Sequence, residues 1–234
     1  MNMGKVIAVS SQKEDIGKTI IGIKTGIKLS QSGKNVLLMD FSSGKKKMSE
    51  YLKVNENIIY DIKDVLDSTC SLELASIEIK EGLSLLPCPR INNKLGKVKK
   101  ESFVKIISEA KKDYDVIILD VDKIQLSYVD FSVLDNVIII NNNDFSCIKE
   151  INTDKAIAER YKFNNIYVLI NKYDIKKSSK GTMMKLKDIQ KLSDAKIQST
   201  IEENIKYCEA DYDFLFGTED STFNRAVDSI IKNI

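Results

Sequence analysis

Histidine and tryptophan are absent from this chain of 234 residues, and proline occurs only twice. Without imidazole there is no Ser-His-Asp or Cys-His nucleophile system, no His-bound zinc or haem, and no imidazole proton switch. Two prolines and ten glycines exclude a collagen-like or linker-dominated chain. The four cysteines (Cys70, Cys88, Cys147, Cys208) form no C-x-x-C pair and read as buried thiols in a reducing cytoplasm. No apolar run approaches the ~18 residues of a membrane span. Met1 to Ser11 lacks the basic start and long apolar run of a secretory leader. A soluble, cytoplasmic protein is expected. An excess of one charge is missing too: 36 Lys and Arg against 34 Asp and Glu leave a net +2, too balanced to announce a nucleic-acid binder.

What is present is an alternation. Short β-branched runs recur at Val6–Val9, Val36–Met39, Leu83–Leu86, Val116–Leu119, Val137–Ile140 and Ile166–Ile170. Each is nearly continuous in apolar character, the mark of strands covered on both faces. Between them the period is helical: Ile20, Ile23 and Ile27 share one stripe, and Phe103, Ile106, Ile107 and Ala110 another. Gly33 stands where the first helix must stop before the next strand. The expected fold is α/β, a doubly wound, mostly parallel sheet with helices on both faces, in one domain over residues 1–234. Two long lysine-rich loops are expected, Pro89 to Lys100 and Lys172 to Lys187. In such a sheet the ligand belongs at the carboxyl ends of the strands.

The first strand-to-helix turn runs from Ser10 to Thr19 and ends Gly17-Lys18-Thr19, matching the close of G-x-x-x-x-G-K-[ST]. That chemistry needs backbone N–H groups aimed at phosphates, a lysine to neutralise them and a hydroxyl for Mg2+. The bland alternative is a vestigial helix start that binds nothing.

Gln12-Lys13-x-x-Ile16-Gly17-Lys18-Thr19 resembles the deviant Walker A loop of the MinD/ParA ATPases, Q/G-K-G-G-[VIL]-G-K-T. Gly33 to Asp40 is similar to the family's second strand, Tyr114 to Asp120 to its Walker B strand, and Ile170-Asn171-Lys172 to the strand end where an Asn reads adenine. Asn57 to Val65 and Leu85-Leu86-Pro87 look MinD-like more than ParA-like. The resemblance implies a P-loop NTPase that binds ATP and Mg2+. Gly17, Lys18, Thr19 and Asn171 would hold the nucleotide, and Thr19, Asp40 and Asp120 the metal. Lys13 and Asp40 would be catalytic, Lys13 by reaching the partner's nucleotide across a homodimer.

Three departures touch that chemistry. Glu14 and Asp15 stand where the family has glycines that allow φ > 0; Asp tolerates that region moderately and Glu poorly. Like unit charges ~4 Å apart, an acid beside a phosphate, would also cost about 4 kcal/mol at a surface-like dielectric. The family's D-x-D reads Asp40-Phe41-Ser42, and serine is no carboxylate base. The Walker B D-x-P reads Asp120-Val121-Asp122. Slow or absent hydrolysis is expected.

Each candidate also has a structural alternative: Lys13 as a solvated loop lysine, Asp40 and Asp120 as helix caps, Asn171 as turn chemistry. The apolar face of Thr222 to Ile234 reads as the closing core helix, with a membrane-seeking helix less favoured. Lysine clusters at Lys45–Lys47, Lys97–Lys100 and Lys176–Lys187 read as solvated surface, with weak DNA contact if they converge. The resemblance implies a MinD-like, possibly TadZ-like, positioning protein with a protein partner in septum, pilus, flagellar or plasmid placement. A nucleotide-independent scaffold and an active DNA-segregation ATPase are the alternatives.

Overall fold

The computed structural model describes residues 4–89, 99–123, 129–208, 210–218, 221–232 and 234. Eight strands form one sheet: β1 (Lys5–Ser10), β2 (Val36–Asp40), β3 (Ile77–Lys80), β4 (Leu83–Leu86), β5 (Val116–Asp120), β6 (Asn136–Asn141), β7 (Asn165–Tyr173) and β8 (Ile197–Glu202). Their order is β3-β4-β2-β5-β1-β6-β7-β8, and every pairing is parallel except β3 with β4. The helices are α1 (Lys18–Gln31), α2 (Met48–Tyr51), α3 (Ile62–Leu66), α4 (Leu72–Ala75), α5 (Lys100–Asp113), α6 (Cys147–Arg160), α7 (Ile175–Ser179), α8 (Leu186–Leu192), α9 (Ile205–Cys208), α10 (Tyr212–Phe216) and α11 (Thr222–Ile231).

The doubly wound expectation is met, and its cause is visible in the strands. Every residue of β2, β5 and β6 is buried, so alternate side chains must both find apolar cover. Val6, Ala8, Leu37, Met39, Ile117 and Leu119 pack on the α5 stripe, Phe103, Ile106, Ile107 and Ala110. Their neighbours Ile7, Val9, Leu38 and Ile118 face the other way, onto Ile20, Ile23 and Ile27 of α1. At the end of α1, Gly33 takes φ 87°, and the N–H groups of Gly33 and Lys34 donate to the carbonyls of Ser30 and Leu29. That left-handed turn closes the helix at little steric cost.

Two strands and two helices depart from the expectation. β3 and β8 are edge strands whose residues are mostly half-buried or exposed, so neither carries a continuous apolar run. The segment expected as a loop from Lys172 to Lys187 instead holds α7 and the start of α8. Asp174 caps α7, its carboxylate accepting from the Lys177 N–H at 2.8 Å. The other expected loop, Pro89 to Lys100, falls mostly on residues 90–98, outside the described ones, and its last residue, Lys100, begins α5. α11 does close the core: Phe223, Ala226, Val227 and Ile230 are buried, and the helix packs on β8 and α1. Among the described residues no helix is long and apolar enough to cross a membrane.

Candidate functional site

The turn between β1 and α1 lies over the carboxyl ends of the central strands. Only one of the two acids there needs a left-handed backbone: Asp15 has φ 50°, while Glu14 does not. The positive-φ position therefore falls on the residue that tolerates it better. Both side chains are exposed. Gly17, at φ 93°, caps α1, and a Cβ built on it would stand 2.6 Å from Asn171 Nδ2. Asn171 itself donates from Nδ2 to the Ile16 carbonyl at 2.8 Å, and Lys172 donates to the Asp15 carbonyl at 2.6 Å. The end of β7 thus clasps the turn.

Inside the turn, the Lys18 ammonium donates to the Lys13 carbonyl at 3.3 Å and lies 3.9 Å from Asp122 Oδ1. Thr19 Oγ1 donates to Asp120 Oδ2 at 2.5 Å. The other oxygen, Asp120 Oδ1, is buried with no hydrogen-bond partner among the described residues. Burial, and then the neighbouring Asp40, push this carboxyl up to about 8. Asp40 sits beside it in register on β2. Its carboxyl is also raised by burial, but its oxygens accept from Ser42 N–H at 2.9 Å, Ser42 Oγ at 2.7 Å and Met48 N–H at 2.9 Å. A cleft of about 250 Å³ opens beside this corner, and Lys18, Thr19, Ser42, Asp122, Asn171 and Tyr207 are among its lining residues.

The family model for the CobQ/CobB/MinD/ParA nucleotide binding domain matches residues 7–214. The chain belongs to that family. It is 28% identical over 153 residues to the septum site-determining protein MinD of Bacillus subtilis, covering 63% of this chain and 57% of that one. A chain of the MinC:MinD cell division protein complex of Aquifex aeolicus superposes with a TM-score of 0.83 at 25% identity, over 98% of this chain and 95% of that one. The septum site-determining protein MinD of Pyrococcus horikoshii, complexed with Mg-ADP, shares the fold with a TM-score of 0.82 at 20% identity, over 99% and 96%. The chain spans 44 to 65% of the length of three curated MinD relatives.

For a MinD/ParA member the fit to Mg2+ is testable on the side chains. Among the described residues no group of three or more Cys, Asp or Glu side chains is arranged for a metal. Mg2+ does not need one, since it keeps several waters and binds through one or two carboxylates plus phosphates. Thr19 and the bare oxygen of Asp120 fit that requirement. Asp40 offers less, because three donors of its own loop already occupy it.

Lys13 is not a solvated loop lysine: it is half-buried and tied to groups of its own chain. Its ammonium donates to Asn142 Oδ1 at 2.6 Å and Asp144 Oδ2 at 2.5 Å, and lies 3.2 Å from Glu150 Oε2. Partial burial opposes ionisation of Asp144, but the hydrogen bonds from Lys13 and Ser146 outweigh it and hold the carboxyl below its ordinary value. Sequence reasoning missed Asp144, Glu150 and Tyr207, none of which has a motif spacing to betray it. Asp122 was noticed only as an extra acid. It accepts the Ser43 N–H at 2.7 Å as well as facing Lys18, tying the loop after β2 to the loop after β5.

Proposed function

We propose that this MinD/ParA member is a spatial-organisation protein, placing a septum, pilus, flagellum or plasmid through a protein partner. In this reading it switches between nucleotide states as a homodimer and hydrolyses ATP slowly or not at all. One observation carries the reading. Thr19 lies on Asp120 with one carboxylate oxygen left over, a pair that would suit Mg2+, while the position of a second acid after β2 is Ser42, whose hydroxyl is given to Asp40. Lys18 and the N–H groups of the turn would hold the phosphates, Thr19 and Asp120 the Mg2+, and Asn171 the base. Bound Mg2+ would neutralise phosphate oxygens. Ser42 cannot take a proton from an attacking water. The Mg-ADP complex of the Pyrococcus MinD and the septum role of the Bacillus MinD support the reading.

The test is a thermal melt with Mg-ATP and with a non-hydrolysable analogue, followed by turnover on the same sample. A ligand at ~100 times its Kd adds about 2.7 kcal/mol of stability, so both nucleotides should raise the midpoint while phosphate release stays near background. Absence of any shift would leave the second reading, a nucleotide-independent scaffold. That reading is favoured by the way Lys13, Asn171 and Lys172 are tied to the chain's own groups. A shift with brisk turnover would favour an active DNA-segregation ATPase, which retained Lys13 and Lys18 support and Ser42 opposes.

A further inference from the structure

The cleft has a charged end and an aromatic end, and the sheet order sets them apart. From β5, which carries Asp120, to β7, which carries Asn171, the order β5-β1-β6-β7 takes three strand steps. At ~4.8 Å a step that is about 14 Å. Lys18, Thr19 and Asp122 line the cleft on the β5 side, with Tyr51 near them, while Asn171 and Lys172 of β7, Tyr207 of α9 and Phe223 of α11 line its other side.

Tyr207 is fixed from several sides. Its ring centroid lies 5.5 Å from that of Phe214 and 5.4 Å from that of Phe223, both tilted. Those two rings in turn meet edge to face at 5.3 Å. The Tyr207 hydroxyl sits 3.0 Å from Thr222 Oγ1. Three rings at these spacings form a self-supporting cluster, and the side chain that lines the cleft is half-buried beside Asn171 and Lys172. Its orientation is therefore set before any ligand arrives, which removes the ordering cost that a mobile aromatic would add to binding.

A rigid aromatic wall at one end and a lysine-bearing turn at the other match a ligand with a flat π-face and a chain of negative charges. We infer that Tyr207 is the stacking residue for the nucleobase, and that the base end supplies affinity lost at a phosphate loop carrying Glu14 and Asp15. This rests on the nucleotide reading above. A bare polyphosphate would satisfy Lys18 and the turn but leave Tyr207 uncovered, so the two ligand types separate the two ends of the cleft.

Calorimetry on the full chain with Mg-ATP and with inorganic tripolyphosphate makes that separation. Tyr207→Ala should weaken ATP on the order of 10- to 100-fold, the range seen when a stacking aromatic is removed, and leave tripolyphosphate unchanged. Tyr207→Phe, which keeps the ring, should retain parental ATP affinity. Because the chain has no tryptophan, Tyr207→Trp adds a single indole that can be excited apart from the tyrosines, and Mg-ATP but not tripolyphosphate should quench it. The inference is overturned if Tyr207→Ala keeps parental ATP affinity, or if it loses both ligands in proportion, as a mere prop of the wall would. A parent chain that binds both probes equally tightly, with Lys18→Ala losing both, overturns the stacking role and leaves phosphate binding intact. A parent that binds neither probe overturns the nucleotide reading and this inference with it.

Discussion

Asp40 and Asp120 end adjacent strands in register, and both are fully buried, yet their surroundings differ. The loop after β2 folds back on Asp40 and gives it three donors. Around Asp120 only Thr19 donates, and one oxygen has no partner among the described residues. A buried carboxylate must be compensated from somewhere. At Asp40 the chain supplies the compensation itself, which makes that residue the anchor of its loop. At Asp120 compensation has been left open, which suits a cation that arrives with its ligand. The residue type and the strand end are identical, so the difference lies in the donors.

The largest expected effect tests whether the β2 side has lost only its acid. Ser42→Asp should raise ATP turnover about 100-fold or more over the parent, the usual scale of a positioned general base, read as phosphate release at saturating Mg-ATP. An inert variant with nucleotide still bound would locate the lesion elsewhere, with the tethered Lys13 the next suspect. Of similar size in free energy, and large for one side chain, is the loss of the anchor. Asp40→Ala strands buried donors of Ser42 and Met48 and should cost about 3 kcal/mol in denaturant unfolding. A loss below ~1 kcal/mol would mean that the loop holds without Asp40 and that the contrast with Asp120 is only apparent.

The same contrast marks what could be read without coordinates. The six inner strands were legible because burial on both faces writes itself as unbroken apolar runs. β3 and β8 were not, because Glu78, Lys80, Gln198 and Ser199 lie where an edge tolerates polar side chains. Gly17, Lys18 and Thr19 were legible from the strand-turn-helix setting, and Asp120 only through the resemblance of its strand to the MinD/ParA Walker B strand. The tether of Lys13 was not: its acids follow β6, more than a hundred residues along the chain. Nor does any spacing rule reveal that Asp40 would be saturated by its own loop, because that depends on how the residues up to Met48 turn back. Glu14 and Asp15 were legible as departures from the family's glycines, but only the backbone shows that, of the two, Asp15 alone carries the positive φ.

A third buried acid sharpens the comparison by lying outside the corner that Asp40 and Asp120 form. Asp154 on α6 accepts from Gln12 Nε2 at 2.5 Å through one oxygen, while its other oxygen is unpartnered among the described residues. Burial first of all, with Glu150 adding repulsion, raises its carboxyl to about 6, against the opposing effects of Gln12 and Lys123. The unfolded chain would release that proton near 3.8. Between those values the folded state binds more protons, so the contribution of Asp154 is fully present at the acid end and is lost as pH rises through about 6. Asp154→Asn keeps the shape and an acceptor for Gln12 but cannot titrate. The difference in unfolding free energy between parent and variant should therefore change by on the order of 2 kcal/mol from pH 4 to pH 7, with the parent losing ground. A pH-independent difference would show that Asp154, like Asp40, is compensated by its surroundings after all, and that an unpartnered oxygen is a poor guide to which buried acid awaits a cation.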